Sequence, residues 1–200
     1  MLIDIVILPH KKVRKKIGAK MKKEINNLSN YFVVDNIKII PHLSLWHMKI
    51  SQNKISKIAK ELKEVTKGQK QITITSSEFH AIKKYKGCLE FTIKKNKDLA
   101  KLQQKIFQKI YNYKTGIMPQ FASFLGIKYS KEKLREIKKY GRGLGFGPHL
   151  TMGWLKKEKD ISKVVKRMQK VKFSFLAKEI YICEINKWWQ VKNIIKKIDF

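Results

Sequence analysis

The chain has 200 residues, with 46 Lys and Arg against 15 Asp and Glu and a formal net charge of +31. That length buries a proper core as one domain or as two small lobes, and such a charge selects polyanions, RNA first, as partners. Two Cys exclude a disulfide-built scaffold and any zinc spacing, and no apolar stretch reaches the length of a transmembrane helix.

Residues 2–8, Leu-Ile-Asp-Ile-Val-Ile-Leu, read as a short buried strand. The early Asp and the short apolar run argue against a signal peptide, so a cytoplasmic protein is expected. Residues 11–28 form a basic amphipathic helix, with Val13, Ile17, Met21 and Ile25 at four-residue spacing. A strand over 37–50 follows, then a helix over 51–66 with Ile55, Ile58, Leu62 and Val65 on one face. Residues 71–79 alternate Ile72 and Ile74 with Thr73 and Thr75, a strand pattern.

The same order then returns. A strand covers 88–93, a helix 98–111 (Leu99, Leu102, Ile106, Ile110), a strand 147–155, a helix 160–168 and a strand 173–185. A final strand lies within 188–200. The second copy carries an insertion at about 114–140, with a short helix at 131–140 and a mix of aromatics and Lys that suits a substrate-facing flap. Strand–helix–strand–helix–strand is thus read twice, roughly over 1–80 and 87–185. No linker divides the chain, so 1–200 is expected to be one domain of two pseudo-symmetric lobes.

Two of the five His and two of the four Pro fall in one repeated pattern, Pro41-His42-Leu43-Ser44 and Pro148-His149-Leu150-Thr151. On a strand, residues i and i+2 share a face. Each copy therefore sets an imidazole beside a hydroxyl and turns the Leu between them inward. Two such strands facing one another make a cleft with two imidazoles, which titrate near pH 6.5 and can supply an acid and a base without metal.

In these two tetrads the chain resembles the 2H phosphoesterase superfamily, in its LigT-like branch of 2′-5′ RNA ligases and cyclic phosphodiesterases. The resemblance covers most of the chain in order and length, while its specific match is confined to the motifs. It implies an α+β, bilobal fold: duplicated strand–helix–strand–helix–strand units whose two antiparallel sheets enclose a central cleft. It implies His42 and His149 as catalytic residues, with Ser44 and Thr151 holding phosphate oxygens. The implied activity is cleavage of an RNA-type phosphodiester, most simply hydrolysis of a 2′,3′-cyclic phosphate, with reversible 2′-5′ ligation possible by the same groups. No cofactor, metal or membrane is expected, and the protein is expected to be a monomer. Cyclic dinucleotides and 2′-5′ oligoadenylates stay open as substrates. After its motifs the chain departs from the family's usual run, with Leu45-Trp46-His47-Met48 and with Gly153-Trp154.

Other residues compete with these. The bland alternative for the His pair is two look-alike core histidines, which leaves the paired hydroxyls unexplained. Pro9-His10 serves as a control, because Lys12 stands where a hydroxyl would. His47, five positions after His42, should face the opposite side of a regular strand, and His80 should lie on the surface. The run Gly141-Arg142-Gly143-Leu144-Gly145-Phe146-Gly147 lacks the Gly-Lys-[Ser/Thr] of a phosphate loop and precedes a strand, so it reads as a flexible lead into the second motif. Within it, Arg142 and Phe146 are candidates to reach a phosphate and a base. Trp46, Trp154, Trp188 and Trp189 read as core. Cys88 and Cys183 read as buried thiols. The competing class is a non-catalytic RNA-binding protein that retains the fold. Lys enrichment also follows from AT-rich coding, but that leaves the low count of 15 acids unexplained.

Overall fold

The computed structural model of the chain describes residues 1–120, 125–126 and 128–200. The first half forms β1 (Leu2–Ile7), α1 (Lys11–Ile25), β2 (Asn30–Val33), β3 (Leu43–Lys49), α2 (Ile55–Thr66) and β4 (Ile72–Ala81). The second forms β5 (Cys88–Ile93), α3 (Lys97–Ile110), α4 (Lys131–Tyr140), β6 (His149–Leu155) and α5 (Ile161–Met168). Three strands close the chain: β7 (Ser174–Ala177), β8 (Glu179–Ile185) and β9 (Val191–Asp199). Two antiparallel sheets result, in the orders β3-β1-β8-β9 and β2-β6-β5-β4-β7.

Each motif strand pairs with the first strand of its own half, β3 with β1 and β6 with β5. The next strand in each sheet comes from the other half: β8 lies beside β1, and β4 beside β5. The helices cross over as well. Helix α1 packs on β2 and β6 and α5 on β4, while α2 touches β9 and α3 touches β3. The two halves of the sequence are therefore interleaved, and neither sheet is built from one half alone.

Strand β1 shows why this holds. It sends Ile3, Ile5 and Ile7 into the main core. Its other face carries Val6 into a smaller core with Leu8, Met118, Cys183, Ile185 and Val191. A strand covered on both faces reads as an unbroken apolar run. Asp4 interrupts that run at 0% exposure, so its charge must be answered locally.

Three expectations change. The first motif strand begins at Leu43 and not at 37. Asp35 Oδ1 accepts from the backbone N–H groups of Ile37 (2.8 Å), Lys38 (2.9 Å) and Ile39 (3.4 Å), and Asn36 takes φ 63°. That Asp-Asn turn overrides the apolar residues after it. The expected strand over 173–185 is two strands, β7 and β8, which join different sheets. The four residues of β2 were too few to read as a strand. The short helix at 131–140 is present as α4; of the expected insertion, residues 121–124 and 127 lie outside the described residues. Both Cys are buried free thiols.

Candidate active site

The two motifs open into one cavity between the sheets, lined by His42, Ser44, His149 and Thr151 and also by His47 and Arg142. Its volume is ≈ 220 Å³, several times a water's share of about 30 Å³, so it accommodates more than a lone water.

Each imidazole is held in the same way. His42 Nδ1 lies 2.8 Å from the Ile40 carbonyl and His149 Nδ1 2.6 Å from the Gly147 carbonyl, in both cases two residues back. A carbonyl only accepts, so both Nδ1 atoms carry a proton and donate. The Nε2 atoms are left for chemistry. Beside each stands a carboxylate from the neighbouring strand: Asp4 Oδ2 is 3.8 Å from His42 Nε2, and Glu90 Oε2 is 3.7 Å from His149 Nε2. These distances are charge contacts and exceed hydrogen-bond length.

Both motif strands also carry a bulge at one shared step. Ile5 pairs with Trp46 and Val6 with Ser44, which leaves Leu45 extra. Leu89 pairs with Gly153 and Glu90 with Thr151, which leaves Met152 extra. An extra residue shifts the facing of every later side chain. His47 was expected on the far side of a regular strand. The bulge turns it into the cavity, opposite Asp4 in the ladder.

There it completes a chain of polar contacts. Arg142 Nη1 is 2.8 Å from His47 Nδ1. A guanidinium only donates, so His47 Nδ1 accepts and Nε2 holds the proton. That Nε2 lies 3.1 Å from Asp4 Oδ2. Ser44 Oγ donates to the same oxygen at 2.6 Å. The one proton of the Ser44 hydroxyl is therefore committed to Asp4, whereas no hydrogen bond to the Thr151 hydroxyl is made among the described residues. Gly141 aims the arginine: it ends α4 at φ 83°, where a Cβ would meet the Gly116 carbonyl oxygen at 3.0 Å.

The charges of this cluster are strongly perturbed. Burial works against the Asp4 carboxylate, but His47, His42 and Ser44 outweigh it and hold the carboxyl below its ordinary range. Burial pushes His42 below the ordinary imidazole value, with Asp4 opposing. Burial does the same to His47, where Arg142 adds to it and Asp4 opposes. Burial raises the Cys88 thiol, which also lines the cavity, and so disfavours it as a nucleophile.

Of the candidates, Arg142 lies in the cavity with the four motif residues, while Phe146 lines an adjoining groove on the other side of His149. Trp189 also lines the cavity at φ 57°, its ring 4.9 Å from that of His47, so it is not a core residue as Trp46 and Trp154 are. His80 is partly exposed and faces Glu90 across the ladder, with Nε2 3.4 Å from Oε1. Sequence reasoning missed Asp4 and Glu90 and turned His47 the wrong way. A single acid inside each apolar first strand, β1 and β5, was the available signal, since a buried carboxylate needs a partner.

Neither a protein-family model nor a curated protein sequence matches the chain. Solved structures do. TT0787 of Thermus thermophilus aligns over 100% of this chain and 97% of its own, at TM-score 0.62 and 11% identity. E. coli LigT complexed with 3′-AMP aligns over 98% and 96%, at 0.56 and 13%. Kluyveromyces marxianus Usb1 aligns over 100% and 98%, at 0.52 and 10%. Such identities speak for the fold, and nearly the full length of each partner is matched. With its two antiparallel sheets and paired motif strands, this chain has the LigT-like 2H phosphoesterase fold.

Proposed function

We propose that the protein is a metal-independent phosphodiesterase acting on RNA-type phosphodiesters, most simply on a 2′,3′-cyclic phosphate opened by water. One observation carries this reading. Two imidazoles with Nδ1 tied to backbone carbonyls leave both Nε2 atoms to a single cavity. An acid and a base poised on one small site suit in-line displacement at phosphorus. The ligand in one similar structure, the 3′-AMP of LigT, agrees with a nucleotide in the cleft. Among the described residues no group of three or more His, Cys, Asp or Glu is arranged to hold a metal ion.

His42, which burial keeps neutral, draws the proton from water as its oxygen attacks phosphorus. His149 gives a proton to the ribose oxygen as the P–O bond breaks. The protons then return through solvent; with a 5′-hydroxyl in place of water as nucleophile and the P–O3′ bond breaking, the same groups form a 2′-5′ link. Thr151 and Arg142 hold the non-bridging oxygens. The substrate is RNA or a nucleotide, drawn in by the net charge of +31.

Chromatographic assay of cyclic mononucleotides, short RNAs ending in a cyclic phosphate, and 2′-5′-linked oligonucleotides tests this. Turnover is expected with EDTA present. RNA binding without turnover of any substrate would instead make the protein a non-catalytic binder. His42→Ala separates the two, since it should keep RNA affinity and lose turnover.

A further inference from the structure

Arg142 is a half-buried cation whose hydrogen-bond partners among the described residues are neutral. Its Nη1 donates to the His47 ring and its Nε to the Gly143 carbonyl at 3.2 Å. Its carbon Cζ stands 5.0 Å from the centre of the Trp46 ring. Burial pulls its pKa down, and Asp4 opposes that only from behind His47. A charge drawn partly out of water without a direct counter-ion is costly. This one lines the cavity that holds both motif histidines, so an anion in that cavity removes the cost. The Ser44 hydroxyl competes poorly for the role, because its proton goes to Asp4.

Resting on the phosphodiesterase reading, we propose that His47 is a positioning residue: in its neutral form it docks Arg142 into the cleft, where the guanidinium takes a phosphate oxygen in place of the Ser44 hydroxyl. The ring does this because it is a two-ended bridge. Nδ1 accepts from Arg142 while Nε2–H donates to Asp4, so one tautomer connects the anion and the cation. The Trp189 ring covers it. The charged and titratable groups that face His47 are Asp4 from β1, His42 just before β3, Arg142 from the loop after α4, and His149 from β6. A proton added at Nδ1 would remove the acceptor and set two cations 2.8 Å apart.

The test uses inorganic phosphate as probe, followed by NMR titration, beside steady-state kinetics on a cyclic mononucleotide. A charge-assisted hydrogen bond is worth enough that its loss should weaken phosphate binding on the order of 10–100-fold. Arg142→Met and His47→Phe should each do so, with the double variant little worse than either. Both should raise KM more than they lower kcat. His47→Gln should restore most of the affinity, because its carboxamide can accept from Arg142 and donate to Asp4. In the unaltered protein, ring 15N shifts should report His47 as the Nε2–H tautomer, a check that needs no variant to fold. A Nδ1–H tautomer, or wild-type phosphate affinity in Arg142→Met or in a folded His47→Phe, would overturn the proposal. If instead the protein turns over no phosphodiester while phosphate binding depends on both residues, the reading of the reaction fails and the anion site stands.

Discussion

The two motif lobes use one backbone grammar to produce two different environments. Each has a Pro-His-Leu-[Ser/Thr] segment, an Nδ1 anchor two residues back, a bulge one residue after the hydroxyl and a carboxylate across the ladder. Yet the His42 side chain is 3% exposed and that of His149 41%. In the first lobe the carboxylate is enclosed, and its contacts run through His47 to Arg142, a cation. In the second they run from Glu90 to His80, and His80 Nδ1 lies 3.7 Å from Glu78, an acid. The repeat fixes where a ring sits. The residues that differ between copies decide what surrounds it.

The largest test breaks both lobes at their centres. Either His42→Ala or His149→Ala should lower the rate on the order of 10²–10⁴-fold, and the double variant should cost far less than the product. Single-turnover kinetics on a cyclic phosphate would check it. Near-wild-type turnover in one variant alone would mean that the lobes do not act as a pair.

A finer test separates the lobes through their carboxylates. His42 must be neutral to act as the base. Burial lowers its pKa, so the acid limb of the kcat/KM profile should fall below the ordinary imidazole value near 6.5. Asp4 opposes that shift. Asp4→Asn should therefore move the acid limb lower still. Glu90→Gln should leave that limb in place, because Glu90 faces the other ring. An equal shift in both variants would erase the distinction between the lobes.

How much of this the sequence showed depends on whether the signal was local. The paired motifs needed only two tetrapeptides, and the helix faces needed only their apolar spacing, since both are set by residues a few positions apart. The place of His47 was not local. Read on a regular strand it faces away, and only the extra residue Leu45 in the pairing with β1 turns it inward. The exchange of β4 and β8 between sheets was equally hidden, because a strand pattern states which faces are buried and says nothing of which neighbour buries them. Arg142 was legible as a candidate from the glycines around it, but its partner, 95 residues earlier in the chain, was not.

The enclosed lobe should also carry the pH dependence of stability. His42 and His47 have folded-state pKa values below the ordinary value, so each favours the folded state fully only above about pH 6.5. As pH falls below that point, the unfolded chain takes up protons that the folded chain refuses. Stability should then drop by ~1.4 kcal/mol per pH unit for each group, until the folded pKa is passed. Urea midpoints measured from pH 7.5 to 5 would show the slope, and His47→Gln should reduce it. An unchanged slope in that variant would mean that His47 is not held neutral by the fold.

The smallest expected effect falls on the two hydroxyls, where the lobes look most alike in sequence. Ser44 donates to Asp4 at 2.6 Å, and its loss leaves a buried carboxylate with one partner fewer. Asp4 Oδ1 is already buried without a hydrogen bond. Ser44→Ala should therefore cost ~1–3 kcal/mol in stability, the usual penalty for unpairing a buried group, and change KM little. Thr151 sits in the same cavity without such a commitment among the described residues. Thr151→Val keeps the side chain's shape and removes only the hydroxyl, so it should raise KM about tenfold, the worth of one hydrogen bond to a charged oxygen, with little effect on the urea midpoint. Equal KM effects from the two substitutions would show that Ser44 leaves Asp4 to meet the substrate. The first lobe would then bind phosphate through its hydroxyl as the second does, and the asymmetry between the lobes would be confined to their histidines and carboxylates.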